Sequence, residues 1–242
     1  MTSTSDRSAP PAPRRLMRGA SAPAGVRRVD SVQVFAAAMA GAPCTVAGME
    51  GGDQLLPMAR WAGEADASDD AVLALCHGTT LDVGCGPGRL TSRLSELGHV
   101  ALGIDIVPAA VQRTRERGVS AVQRDLFERL PGEGRWQTVL LADGNIGIGG
   151  DPFALLARMG ELVAPGGRIV VEAAPPGGGL RVHEARLRTA DLESTPFPWA
   201  VLAVDHVEAV TEGLPLSLLE VNQIGRGERL RWVAVLTRQE LT

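Results

Sequence analysis

The chain predicts an α/β fold: a seven-stranded, mostly parallel sheet with helices on both faces. Three observations carry this. From Thr79 onward, short apolar runs alternate with helical patterns at the lengths of strand–helix–strand units. A glycine-rich turn joins the first run to the helix behind it. The last two runs are joined by a turn too short for a parallel crossover, so the sheet finishes with a reversed edge strand.

Residues 1 to 27 are Ser, Ala, Pro and Arg with little apolar periodicity, and read as a disordered tail. Residues 28–78 read as a helical appendage. Asp30 caps a helix through Val32, Phe35, Ala36 and Met39, with Gly41 past its end. Residues 42–57 read as loop, and a second helix runs from Ser68 or Asp69 through Leu75, closed by Gly78. The main domain, 79–242, opens with a strand at Thr80–Val83 and a helix from Arg89 to Leu97, stopped by Gly98. Val100–Ile106 is the next strand, and Pro108 starts a helix that ends at Gly118. Ser120–Gln123 and Trp136–Ala142 follow as strands. Asp151 and Pro152 open a helix to Val163, and Pro165-Gly166-Gly167 turns it into the strand Arg168–Ala173. After a helix over Asp205–Glu212, the runs Leu216–Ile224 and Arg229–Leu236 form a hairpin about Gly225-Arg226-Gly227-Glu228.

Composition narrows the function. The 242 residues are 45% apolar with a net charge of -4, which disfavours a nucleic-acid grip. Uninterrupted apolar runs are too short for a membrane span, and the N-terminus lacks a signal-peptide core. Cys44, Cys76 and Cys85 suggest neither a disulfide frame nor a zinc site and suit the cytoplasm. Neither Lys nor Tyr occurs, so a Lys Schiff base, a P-loop and a Tyr general acid are all excluded.

The chemistry is carried by Asp82-Val83-Gly84-Cys85-Gly86-Pro87-Gly88-Arg89, between the first strand and helix. Glycines let the backbone approach a ligand, and the helix N-terminus offers free N–H groups. The dinucleotide fingerprint would need a third glycine where Arg89 stands. Asp105 and Asp125 close the next two strands. Acids at consecutive strand ends on the switch-point edge describe a nucleoside site.

These segments, with GIDIVPAAV, QRDLFERLP, WQTVLLADGNIGIGGDP and VAPGGRIVVE, resemble the successive motifs of class I S-adenosylmethionine-dependent methyltransferases over about residues 79–242. The resemblance implies a Rossmann-like sheet of order 3-2-1-4-5-7-6 with the last strand antiparallel. It implies that Gly84, Cys85, Gly86 and Gly88 approach the methionine part of the cofactor, with Asp82 supporting that loop and the cofactor's amino group. Asp105 with Ile106 would bind the ribose, Asp125 with Leu126 and Phe127 the adenine, and Asp143 with Gly144 would lie beside the reacting methyl. The Asn-Pro-Pro-aromatic motif of adenine and glutamine N-methyltransferases is absent. So is the Asp-Asn pair of metal-dependent catechol-type members, so no metal is expected.

For the acceptor, His183 and Asp143 are the candidate bases, with Glu172 a rival acid. Asn145 and Ile146, in a glycine-rich loop, and Trp199 are candidate acceptor contacts. The reading is methyl transfer to O, N or C of a small molecule in bacterial, specialised metabolism. The alternatives are non-methylating use of the same cofactor such as cyclisation, a nicotinamide-dependent dehydrogenase, and a non-catalytic nucleoside-binding module.

Overall fold

The computed structural model describes residues 25–227 and 230–239. Nearly all of the expected tail lies outside these residues, as do Glu228 and Arg229 of the expected hairpin. The N-terminal segment contributes β1 (Arg27–Val29), α1 (Ser31–Met39), β2 (Thr45–Ala47), β3 (Gln54–Leu55), α2 (Met58–Ala62) and α3 (Ala67–Leu73). Next come β4 (Thr80–Val83), α4 (Arg89–Glu96), β5 (Ala101–Asp105), α5 (Pro108–Glu116), β6 (Ala121–Gln123), β7 (Trp136–Leu141), α6 (Pro152–Leu162) and β8 (Val163–Ala173). Then follow β9 (Leu180–Arg188), β10 (Leu192–Ser194), β11 (Phe197–Leu202), α7 (Val207–Val210), β12 (Leu216–Ile224) and β13 (Arg231–Arg238).

Local chemistry sets the helix ends. The Asp30 carboxylate accepts from Gln33 N–H at 2.8 Å and starts α1. Asp66 and Asp69 form a reciprocal capping box on α3. Asp151 caps α6 by accepting from Ala154 N–H, with Pro152 in the first turn.

The main sheet runs β6-β5-β4-β7-β8-β13-β12. Numbered by the strands of the main domain, this is 3-2-1-4-5-7-6. Both faces are covered, so the central strands are mostly apolar, with Thr80, Asp82 and Thr138 their buried polar members. Val139, Leu141, Ile169 and Val171 face α6, while Leu140 and Val170 pack with Leu90 and Leu94 of α4 and with α3. The reversed strand stands where the order implied by the resemblance puts it, and not at the edge as the hairpin alone suggests. β13 pairs antiparallel with both β8 and β12 and lies inboard, leaving β12 at the edge. Burial explains it: Val233, Ala234, Val235 and Leu236 are fully buried, whereas β12 carries exposed Glu220 and Gln223.

The N-terminal segment is not helical alone. Residues 42–57, expected as loop, contain β2 and β3. With β1 they join β9 and β10 in a small sheet, β1-β10-β9-β2-β3, and β11 pairs with β9. β2 is three residues long, and its register partners on β9 are Arg186, Leu187 and Arg188, far along the chain. No local periodicity announces such a strand. The small sheet stands over the carboxyl ends of β4 to β7, where the cavity opens. No helix among the described residues is long and apolar enough to cross a membrane.

Candidate active site

A cavity of about 580 Å³ is lined on one side by the carboxyl ends of the parallel strands and on the other by the N-terminal segment and β9 to β11. This is the size and place expected of a small-molecule site in an open α/β sheet. Asp82, Gly84, Cys85, Gly86, Asp105, Ile106, Asp125, Leu126, Asp143, Asn145 and Trp199 all line it, as the sequence reading requires of one site.

The turn after β4 is shaped by its partners. Asp105 accepts from Gly86 N–H at 2.9 Å and from Val107 N–H at 2.8 Å, which fixes the turn to β5. Gly86 has φ 54°, and a Cβ there would meet no protein atom within 4 Å, so glycine keeps that part of the wall clear. The Asn145 amide donates to the carbonyls of Val83 and Gly84 at 2.9 and 3.0 Å. Its two hydrogens are thereby used, and Oδ1 alone remains to meet a ligand. Asp125 accepts from Phe127 N–H at 2.9 Å, which orients its carboxylate at the end of β6.

Beneath this wall lies a charge network invisible to local sequence reading. Arg89, at the first position of α4 and 3% exposed, pairs with Asp69 of α3 and with Asp143. Arg231 of β13 donates to Asp69 at 2.7 Å and forks onto both oxygens of Glu172 at 2.8 and 2.6 Å. Glu172 also accepts from Asp143 N–H at 2.7 Å. Two arginines thus tie α3 to the ends of β7, β8 and β13. The network holds Asp143 in the left-handed region, φ 52°, a conformation rare for any side chain but glycine.

Burial opposes ionisation at Asp82, Asp105 and Asp143. Burial pushes the carboxyls of Asp105 and Asp143 up, and for Asp143 more than Arg89 draws it down. Asp69 is the exception: burial pushes it up, but Arg89, the Asp66 N–H and Arg231 hold it low. Burial pushes Asp82 up to about 6, against the hydrogen bond it accepts from the Thr91 hydroxyl at 2.6 Å. The native Asp82 therefore holds its proton more tightly than the unfolded chain. Its ionisation removes stability as pH rises from the ordinary carboxylate range through 6. Asp82→Asn is expected to raise the melting temperature over wild type at pH 7.5, with the gain reduced to about half at pH 5 and vanishing only below the ordinary carboxylate range. Thermal unfolding at both values checks this, and an equal gain at both would contradict it.

Several expected residues sit elsewhere. Gly88 does not line the cavity; a Cβ on it would meet the Thr114 side chain at 2.7 Å, so it serves the contact of α4 with α5. Phe127 is 49% exposed outside the lining, Gly144 is a left-handed turn beside it, and Ile146 is buried in the core. β9 sets His183 opposite Trp199, outside the lining, while Ala185 and Leu187 on the same face do line the cavity. Burial pushes the Cys85 thiol up, which leaves it unreactive in the wall. Arg89 was missed, and so was Phe35. The signal for Arg89 was its place directly after the glycines; Phe35 reads in sequence as ordinary helix core.

Residues 80–167 match the family described as methyltransferase domain. A 2-heptyl-1-hydroxyquinolin-4(1H)-one methyltransferase of Mycobacteroides abscessus is 39% identical over 56 residues, 22% of this chain and 25% of that protein. A trans-aconitate 2-methyltransferase of Paracidovorax citrulli is 33% identical over 96 residues, 38% of this chain and 37% of that protein. The chain therefore matches well under half the length of either relative. A Bacteroides fragilis S-adenosylmethionine-dependent methyltransferase, solved with S-adenosylhomocysteine, superposes with TM-score 0.70 at 23% identity, covering 86% of this chain and 94% of that one. A sugar N-methyltransferase from Streptoalloteichus covers 93% of this chain and 100% of its own at TM-score 0.56 and 18% identity. At these identities the structural likenesses speak for the fold.

Proposed function

We propose that this protein binds S-adenosylmethionine and methylates a small molecule, a reading supported by the match of residues 80–167 to a methyltransferase domain. The observation that carries it is the arrangement of Asp105 and Asp125 at consecutive strand ends, around a glycine turn that leaves open space beside Gly86.

The residues present fit the cofactor. Asp105 would hold the ribose diol, and Asp125 with Leu126 the adenine. Gly86 would leave room for the methionine part, while the missing Cβ of Gly84 makes room for Asn145, whose Oδ1 is free to accept from the ammonium. When bound, S-adenosylmethionine supplies a methyl group on a sulfonium sulfur, already activated for displacement. The chain's share is to align the acceptor and keep water out, and alignment of this kind contributes roughly 7–11 kcal/mol to lowering a barrier. The apolar walls from the N-terminal segment and β11 exclude water. Asp143 stays in the proposal as a base, because a carboxyl whose pKa burial raises is the more basic for it. His183 receives no role.

The division of the chain belongs to the same proposal: residues 28–78 as an appended cap, residues 79–242 as the cofactor-binding domain. So do transfer without a metal, a small-molecule acceptor rather than nucleic acid, and a cytoplasmic location. Incubation of the protein with S-adenosylmethionine and candidate acceptors, followed by mass spectrometry, tests the reaction. Stoichiometric S-adenosylhomocysteine and an acceptor heavier by one methylene unit are expected. Methylthioadenosine instead would mean alkyl transfer or cyclisation.

A further inference from the structure

We propose that the acceptor half of the cavity is a slot for a planar aromatic molecule, gripped by ring faces rather than by charge. The word acceptor rests on the methyl-transfer reading; the slot rests on the side chains alone. The chain has four Phe, four Trp and no Tyr, and two Phe and two Trp line this one cavity. They come as two pairs from distant segments. Phe35 of α1 and Trp61 of α2 stack with ring centroids 6.0 Å apart and planes at 23°. Phe197 and Trp199 of β11 meet edge to face at 6.3 Å and 88°.

The glycine-rich loop after β7 is built to this wall. A Cβ on Gly147 would stand 2.5 Å from the Trp199 indole nitrogen, and one on Gly150 would stand 2.6 Å from Pro198. Ile148 makes a strand bridge to Trp199. The loop therefore closes on β11 only because it lacks side chains at these positions. Among the described residues, the lining from the N-terminal segment and β9 to β11 is uncharged, with Ser31 and Gln54 its polar members. A sugar would lose hydration there without enough partners, and a cation finds ring faces but no carboxylate in this part of the lining. A flat ring loses little and gains face and edge contacts with the aromatic pairs.

Equilibrium dialysis of the full chain against 2-naphthol, its saturated analogue decahydro-2-naphthol, methyl glucoside and choline tests the slot. 2-Naphthol is expected to saturate one site at least tenfold more tightly than each of the others. Trp61→Leu and Trp199→Leu should each weaken it about tenfold with cooperative unfolding retained, and Trp199→Phe should restore most of the binding. Equal binding of the saturated analogue, tighter binding of the glucoside or choline, or binding unchanged in both leucine variants would overturn the proposal. S-Adenosylhomocysteine binding to wild type, measured alongside, separates the two readings. Its failure would sink the cofactor and leave the slot, and its success without naphthol preference would do the reverse.

Discussion

Asp105→Ala is expected to lose S-adenosylhomocysteine binding by roughly 30- to 1000-fold, the equivalent of about 2–4 kcal/mol. The carboxylate has two tasks. One is proposed, to accept the ribose hydroxyls in charge-assisted hydrogen bonds. The other is structural, since it already accepts from Gly86 and Val107 N–H and so holds the glycine turn against β5. Alanine removes both. Asp105→Asn keeps one oxygen acceptor and should fall between. Calorimetric titration of the two variants reads the difference. An alanine variant that binds within threefold of wild type would remove Asp105 from the site.

Arg89→Met is expected to have the largest effect on stability. Arg89 is 3% exposed between Asp69, itself 1% exposed, and Asp143. Its removal leaves Asp69 with Arg231 as its buried partner and frees Asp143 from the ion pair that helps hold its backbone at φ 52°. Breaking a buried pair by removing one partner costs about 3–5 kcal/mol. At this chain length that lowers the melting temperature by roughly 10 °C. Because the cost is an uncompensated buried charge, adding Asp143→Asn to Arg89→Met should recover part of it. A double variant as unstable as the sum of the two singles would show that Arg89 acts by packing alone.

The contrast between these two residues explains what the sequence disclosed. Asp105 is legible because its meaning is local: it ends an apolar strand about 20 residues after a glycine turn, and the parallel sheet must bring both to one edge. The helix caps at Asp30 and Asp151 are legible for the same reason, whereas the strand order is legible only through the resemblance of the successive motifs to a known family. Arg89 and Arg231 are not, because each reads as one more surface arginine in a chain whose every basic side chain is Arg. The bond from Arg231 to Asp69 spans 162 residues. The small sheet is hidden likewise, since β2 and β3 owe their form to β9 rather than to their own periodicity. Trp199 is legible as an aromatic side chain in a stretch stiffened by Pro196 and Pro198. Phe35 and Trp61 show their meaning only once α1 and α2 are set beside the cavity. His183 was drawn in as a titratable group in the right region, but β9 carries it past the lining.

The central claim is that this cavity is an S-adenosylmethionine site. Calorimetric titration of the purified, ligand-stripped full chain with S-adenosylhomocysteine, with NAD as control, tests it most directly. One site of micromolar affinity for S-adenosylhomocysteine and no heat with NAD are expected. Binding of NAD alone would contradict it, and would mean that the glycine turn and the two aspartates serve a dinucleotide.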